Sequence, residues 1–311
     1  MSKALICGSL AYDTIMVFED QFVNHILPNQ IHKLNVSFFV PSMRREFGGV
    51  AGNIAYNLHL LGEVPVPMGT VGQDFIPYSQ RLEELGICLD GVIVKEQMFT
   101  PQAFITTDMD NNQLTAFHPG AMSVSHECKV SDHKNISIGI VGPDGREGMI
   151  SHAQGFVDNN IPFIFDPGQA MPLFDGDDLM KFIDQATWMA VNDYEYELVC
   201  ERTGWDAKEI ASHLDALIVT RGEKGSEIYT DGSVYHIPVV EAKEVVDPTG
   251  CGDAYRAGLL YGLMNNLDMQ TTGRIASLLG SIKIAHAGTQ NHSFKKNEFE
   301  AIFEKEFGYR F

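Results

Sequence analysis

Short apolar runs at about residues 3–8, 64–70, 137–141, 162–166, 187–191 and 216–220 recur along the chain with helical periodicities between them. An uninterrupted apolar run of strand length is buried on both faces, and its alternation with helices is how a parallel sheet with crossover helices reads. The pattern predicts an α/β fold with a doubly wound, mostly parallel sheet flanked by helices. Ala51 to Leu61 forms one such helix, with Ile54, Leu58 and Leu61 on one face and Gly62 as its stop. Another runs from about Tyr78 to Leu85 and ends at Gly86. The C-terminal third turns helical, over 252–265, 271–287 and 296–307.

Two stretches depart from this rhythm. Residues 11–47 and 97–118 alternate as antiparallel strands do, as in Gln102-Ala-Phe104-Ile-Thr-Thr107 and Leu114-Thr-Ala-Phe117, with a turn at Asp108–Asn112. Inserted between core elements, they predict a small β-sheet lid over the mouth of the main sheet. No linker or repeat divides the rest, so residues 1–311 read as one domain carrying that lid.

With 311 residues and 44% hydrophobic content, the chain can bury a substantial core. No apolar run approaches the roughly 18 residues of a membrane span, and Met1–Cys7 enters a strand-like run in place of a signal peptide. A cytoplasmic protein without a membrane partner is expected. Lys and Arg number 22 against 41 Asp and Glu, a net charge of −19 that opposes binding to a nucleic-acid polymer. The same charge repels a free nucleoside triphosphate, so such a ligand should arrive with Mg²⁺ and be held by amide dipoles. Five scattered cysteines without a Cys-x-x-Cys pair suggest reduced thiols, with neither a disulfide framework nor a zinc site.

The densest chemistry lies in Asp247-Pro-Thr-Gly-Cys-Gly-Asp253, at the opening turn of an apolar helix. Unpaired amides and the positive end of the helix dipole make the N–H groups of Gly250, Cys251, Gly252 and Asp253 a candidate phosphate cradle. Asp253 is then placed to take the proton of an attacking hydroxyl. Taken alone, it is equally a first-turn acid favoured by the dipole. Gly48, Gly49 and Asn53 open the helix after the lid, where backbone can approach a ligand and Asn53 offers both donor and acceptor. Asp13 follows the first strand at the sheet edge where open α/β folds bind ligands, and its paired acceptors suit a vicinal diol. Asn192-Asp-Tyr-Glu195 and Thr220-Arg-Gly222-Glu-Lys-Gly225 each follow a strand; Asn192 is alternatively an N-cap, and the glycines an ordinary hairpin turn.

The order of these four elements from 48 to 253 resembles the PfkB (ribokinase-like) family of carbohydrate and nucleoside kinases, over nearly all of the chain from Lys3 to about Phe307. The resemblance implies transfer of the γ-phosphate of ATP to a primary hydroxyl, with Asp253 as base and the 250–253 amides as anion hole. It also implies ATP contacts from the Asn192–Glu195 and Thr220–Gly225 elements, Mg²⁺ held through water by Glu195, and a monovalent cation (K⁺) at Asp247 and the Ala287–Gly288 region. Within the family, Gly8-Ser9, Asp13, Leu34–Val40, Gly48–Asn53, Phe117–Ser123 and Asp166–Gln169 are most similar to bacterial ribokinase-like adenosine kinases. That similarity implies ribose binding by Asp13, Gly49 and Asn53, purine stacking by Phe104 and Phe117, base-edge contacts from Ser9, Ser37 and Gln169, and a homodimer through the lid. Two aromatics on neighbouring lid strands suit a flat base, although they also suit a small lid core. The expected reaction is ATP-dependent phosphorylation of adenosine at its 5′-hydroxyl. Ribose or another purine nucleoside as acceptor is the alternative, and a non-catalytic sugar- or nucleotide-binding regulator the remoter one. Cys251 stands where the signature usually carries a small apolar residue, and its position at a helix start suggests a reactive thiol.

Overall fold

A computed structural model describes residues 2–26, 33, 35–110, 112–230 and 232–311. Of the expected lid, residues 27–32, Leu34 and Asn111 lie outside the described residues. The chain runs through β1 (Lys3–Cys7), β2 (Ala11–Val17), β3 (Ser42–Gly48), α1 (Val50–Leu60), β4 (Pro65–Gly72), α2 (Ile76–Glu84), β5 (Val92–Lys95), β6 (Gln102–Thr107) and β7 (Gln113–His118). It continues with β8 (Ile136–Val141), α3 (Arg146–Asp158), β9 (Phe163–Phe165), α4 (Gly176–Gln185), β10 (Trp188–Asn192), α5 (Asp193–Thr203), α6 (Ala207–Ser212) and β11 (Ala216–Thr220). The hairpin β12 (Ser226–Thr230) and β13 (Ser233–Ile237) precedes the last helices, α7 (Cys251–Met264), α8 (Met269–Ile284) and α9 (Lys296–Phe307).

The main sheet has nine strands in the order β13-β12-β11-β10-β9-β8-β1-β4-β5. Every ladder from β5 to β11 is parallel, and the β12–β13 hairpin adds the antiparallel edge. Strand pleating sends successive side chains to opposite faces. Ala4 and Ile6 of β1 therefore join a core with α1, α2, α7, α8 and α9, whereas Leu5 and Cys7 join one with α3 to α6. This is the doubly wound arrangement read from the apolar runs. β5, β12 and β13 carry no long apolar run, because each has at least one solvent-facing side, and they were not anticipated.

A separate four-stranded sheet, β3-β2-β6-β7, forms the lid. β2 pairs with β3 antiparallel but with β6 parallel, and all six residues of β7 are exposed. The main sheet reverses its winding beside β1, whose neighbours are β8 and β4, and a crevice for ligands opens at the carboxyl ends of such strands. Among the described residues no helix is long and apolar enough to cross a membrane.

Helices α7 and α8 pack closely because Gly258 has no side chain. A Cβ there would stand 2.4 Å from Cα of Ala276 and 2.8 Å from its nitrogen, backbone atoms that cannot swing aside. Gly258→Ala should therefore destabilise the fold by about 1–3 kcal/mol, the usual cost of overpacking. The urea midpoint should fall at an unchanged m-value; an unaltered midpoint would mean that the helices separate freely.

Candidate active site

Gly250 is the N-cap of α7 and adopts φ 78°, ψ 3°, the left-handed region where a side chain is strained. A Cβ there would also press on Thr289 at 3.0 Å. The chain turns so sharply that the Cys251 amide donates to the carbonyl of Pro248 (3.1 Å), which removes it from the expected cradle of four. The amides of Gly250, Gly252 and Asp253 have no acceptor among the described residues. Gly252 faces open space, the nearest atom to a hypothetical Cβ being Nη1 of Arg256 at 4.0 Å. Three free amides at a positive helix end can hold an anion.

Asp253 stands on the first turn of α7. Its Oδ2 accepts a hydrogen bond from Nδ2 of Asn53 (2.8 Å), which belongs to the first turn of α1. Oδ1 of Asn53 accepts from Nε2 of Gln290 (3.0 Å), which also donates to the Tyr78 hydroxyl (2.6 Å), and that hydroxyl donates to the Gly48 carbonyl (2.9 Å). Asn53 was expected to bind ribose, but both ends of its buried amide serve this chain. Burial pushes the Asp253 carboxyl up to about 7; Asn53 and Arg256 pull it down, Asp166 and Asp13 push it up. A carboxylate in that range suits general base work near neutral pH.

Arg256, one turn further along α7, is buried against Asp166. Nε and Nη2 donate to the two carboxylate oxygens (3.1 and 3.2 Å), and Nη2 also donates to the Ala190 carbonyl (3.2 Å). Nη1 has no acceptor among the described residues and points to the side of the pocket occupied by Gly252. No site role was legible in the sequence for Arg256, Gln290 and Tyr78, since their partners lie far away along the chain.

Asp13 projects from β2 at the crevice. Its carboxylate makes no hydrogen bond among the described residues, and Gly48 leaves it room: a Cβ at 48 would lie 2.7 Å from Oδ2. Burial, with Glu46 and Asp247 nearby, raises it to about 6. Gly49, at φ 82°, lets the start of α1 pass the β1–β2 loop, where a Cβ would be 2.5 Å from the Ala11 nitrogen. Ser9, expected at the base edge, has its Oγ accepting from the Val50 amide (3.2 Å), so it caps α1. Ser37 and Gln169 are exposed, and none of the hydrogen bonds among the described residues ties their side chains to the site.

Asn192 and Glu195 form a reciprocal capping box at the start of α5, each side chain bonding the other's amide at 2.8 Å. Burial, followed by Asp166, raises the Glu195 carboxyl. Thr220 ends β11, its hydroxyl donating to the Val191 carbonyl (3.3 Å). Gly222 (φ 56°) and Gly225 (φ 83°) make the tight turn into β12. These elements stand at the carboxyl ends of β10 and β11, on the same edge as Asp166 after β9.

The lid register separates the two expected stacking rings. Phe117 pairs with Ala103, which lies beside Asp13, whereas Phe104 pairs with Ala116 and lies beside Thr14. Phe117 therefore shares a face with Asp13, and Phe104 is on the other. The expected sandwich of these rings does not form within one chain. A second correction concerns Cys251: burial pushes its thiol up to about 11, with Asp247 and Asp253 adding to the rise and Lys283 opposing it. Desolvation outweighs the helix start, so the lowered thiol pKa expected there is not found.

Asp247 accepts from the amides of Thr249 (Oδ1, 2.9 Å) and Gly288 (Oδ2, 2.9 Å), so it fastens the loop before α7 to the loop after α8.

The model of the pfkB family carbohydrate kinases matches residues 12–297. A nucleoside kinase of Methanocaldococcus jannaschii is 32% identical over 260 residues, 83% of this chain and 85% of that protein. Among solved structures, a Burkholderia thailandensis nucleoside kinase in complex with inosine is 53% identical, with 99% of each chain covered and a TM-score of 0.90. The same kinase in complex with ADP-inosine superposes with a TM-score of 0.87 at 54% identity, over 99% of this chain and 97% of that one.

The base role for Asp253 is tested by pH: with its carboxyl pushed up to about 7, it could accept a proton only when ionised. Turnover at subsaturating acceptor should rise with pH through about 7 and then level off. Asp253→Asn should lose at least the roughly 10²- to 10⁴-fold of general base catalysis. Asn53→Ala removes the hydrogen bond that stabilises the carboxylate, so its pH midpoint should move upward. A pH profile flat from acid to neutral, or an Asp253→Asn variant close to wild type, would remove Asp253 from the base role.

Proposed function

Because the chain belongs to the pfkB family of carbohydrate kinases, and is a phosphotransferase acting on a hydroxyl group, we propose that it phosphorylates the 5′-hydroxyl of purine nucleosides, adenosine among them, with ATP as donor. The observation that carries the reading is one helix start: α7 presents three unpartnered amides beside a carboxylate titrating near neutrality. Asp253 takes the 5′-hydroxyl proton as the oxygen attacks the γ-phosphorus. The bond from γ-phosphorus to the bridging oxygen breaks, ADP leaves, and the amides of Gly250, Gly252 and Asp253 face the transferring group. The open carboxylate of Asp13 suits the 2′- and 3′-hydroxyls, and Phe117 on the same lid face suits one side of the base. Inosine in the Burkholderia complex supports a purine nucleoside over a free sugar.

For Mg²⁺ the residues fit. Glu195 engages only Oε2 in its capping box, and among the described residues no cluster of three potential ligands forms a cage. Mg²⁺ characteristically keeps waters and binds one or two carboxylates plus substrate phosphates. Glu195 would hold it through water, and the ion would screen the phosphate charge against the acidic surroundings. The reading assigns the reaction to purine salvage in the cytoplasm.

The lid also supports a homodimer. Met43, Phe104 and Leu114, on the face turned away from Asp13, are 68%, 40% and 44% exposed. Although Tyr12 and Thr14 on that face are buried, apolar side chains exposed on its other strands mark an association surface. Light scattering should give twice the monomer mass for wild type and a monomer for Met43→Glu/Leu114→Glu; a monomeric wild type would contradict the dimer.

Turnover of adenosine, inosine, guanosine and ribose, measured side by side, tests the acceptor. Adenosine and inosine should exceed ribose. Phe117→Ala should weaken nucleoside binding by about 1–3 kcal/mol, the value of one stacking face, and leave ribose almost unchanged. Ribose as the best acceptor, or equal losses for both classes, would overturn the nucleoside reading.

A further inference from the structure

The C-terminal turn of α8 carries Lys283, a lysine with no solvent-exposed surface. Its Nζ donates to the main-chain carbonyl of Asp247 (2.6 Å) and more weakly to that of His286 (3.3 Å). The same loop is held by the amides of Val246 and Asp247, which both donate to the Ile284 carbonyl at 2.9 and 3.1 Å. Four residues after Asp247 the first turn of α7 begins. A buried ammonium is costly to desolvate, and main-chain carbonyl oxygens accepting from it offset that cost.

A monovalent cation at Asp247 and the Ala287–Gly288 region does not fit this arrangement. The carbonyl such an ion would need already accepts from an ammonium, both oxygens of the Asp247 carboxylate accept amides, and a second positive charge there would meet like-charge repulsion. Burial lowers the Lys283 pKa, while Asp247 and Asp253 support its charge.

We propose that Lys283 is the chain's own monovalent cation: its ammonium holds the Asp247 carbonyl, and through it the Gly250–Asp253 turn, so that phosphoryl transfer needs no added K⁺. Lys283 acts through the loop and is a positioning residue. The proposal rests on the kinase reading for its activity arm, and its stability arm does not.

The test compares wild type, Lys283→Ala and Lys283→Met in KCl and in choline chloride of equal ionic strength. Wild-type turnover with adenosine and ATP should be the same in both salts. Lys283→Ala should lose about 10- to 100-fold in choline chloride, as for other supporting-shell changes, and recover much of it in KCl, because the vacated site can take the ion. Lys283→Met keeps the site filled by an apolar stem and should not recover. Independently of activity, KCl should raise the melting temperature of Lys283→Ala over choline chloride and leave that of wild type unchanged. Several-fold activation of wild type by K⁺ would overturn the proposal even if neither variant folds. So would a Lys283→Ala protein whose turnover and melting temperature ignore K⁺. A wild type that phosphorylates no acceptor sinks the kinase reading, and the melting arm still decides the role of Lys283.

Discussion

Amides left over at the first turn of a helix must meet negative charge or water, and the site depends on bringing one such start, that of α7, against the opening of α1, whose own first amides are satisfied by Ser9. The 2.8 Å hydrogen bond from Asn53 to Asp253 joins the openings of α1 and α7 across 200 residues of sequence. It also fixes the Asp253 carboxylate beside the free amides of its own turn. Much of the surrounding structure serves that junction. Gly48 and Gly49 let α1 begin against the lid and the β1–β2 loop, and Gly250 lets α7 begin where the chain would otherwise collide with Thr289. The Gln290–Tyr78 pair holds the far side of the Asn53 amide.

Charge explains why such a site needs buried cations. Asp13, Asp166, Glu195, Asp247 and Asp253 lie near one another in a chain of net charge −19, and a phosphate must enter among them. Arg256 neutralises Asp166 through a paired contact while leaving Nη1 free, and Lys283 is sealed under the loop before α7. Guanidinium and ammonium divide the work according to their geometry: a planar fork grips a carboxylate, and a compact point charge gathers carbonyls.

The parts legible in the sequence were those in which function is written locally. Apolar runs located the parallel strands, and glycines beside Asp253 located the helix start. What stayed hidden depends on partners far apart in the chain. Gln290 and Lys283 look like ordinary residues of the C-terminal region until the fold sets them against Asn53 and Asp247. Phe104 failed for a register reason: neighbouring strands are not enough, because a one-residue offset moves a ring to the opposite face. For Cys251, proximity to a helix start was weighed and desolvation was not. Asn192 caps its own helix, the local role that its residue type favours, whereas Ser9 accepts an amide of α1 from 41 residues away.

The account stands most directly on where the phosphate goes. ³¹P NMR of the product formed from ATP and adenosine settles it, because phosphorus on the 5′-oxygen couples to the two protons of the 5′-methylene. A phosphomonoester triplet growing in step with ADP is predicted. A doublet from a ring methine ester, or inorganic phosphate as the sole new signal beside ADP, would contradict it.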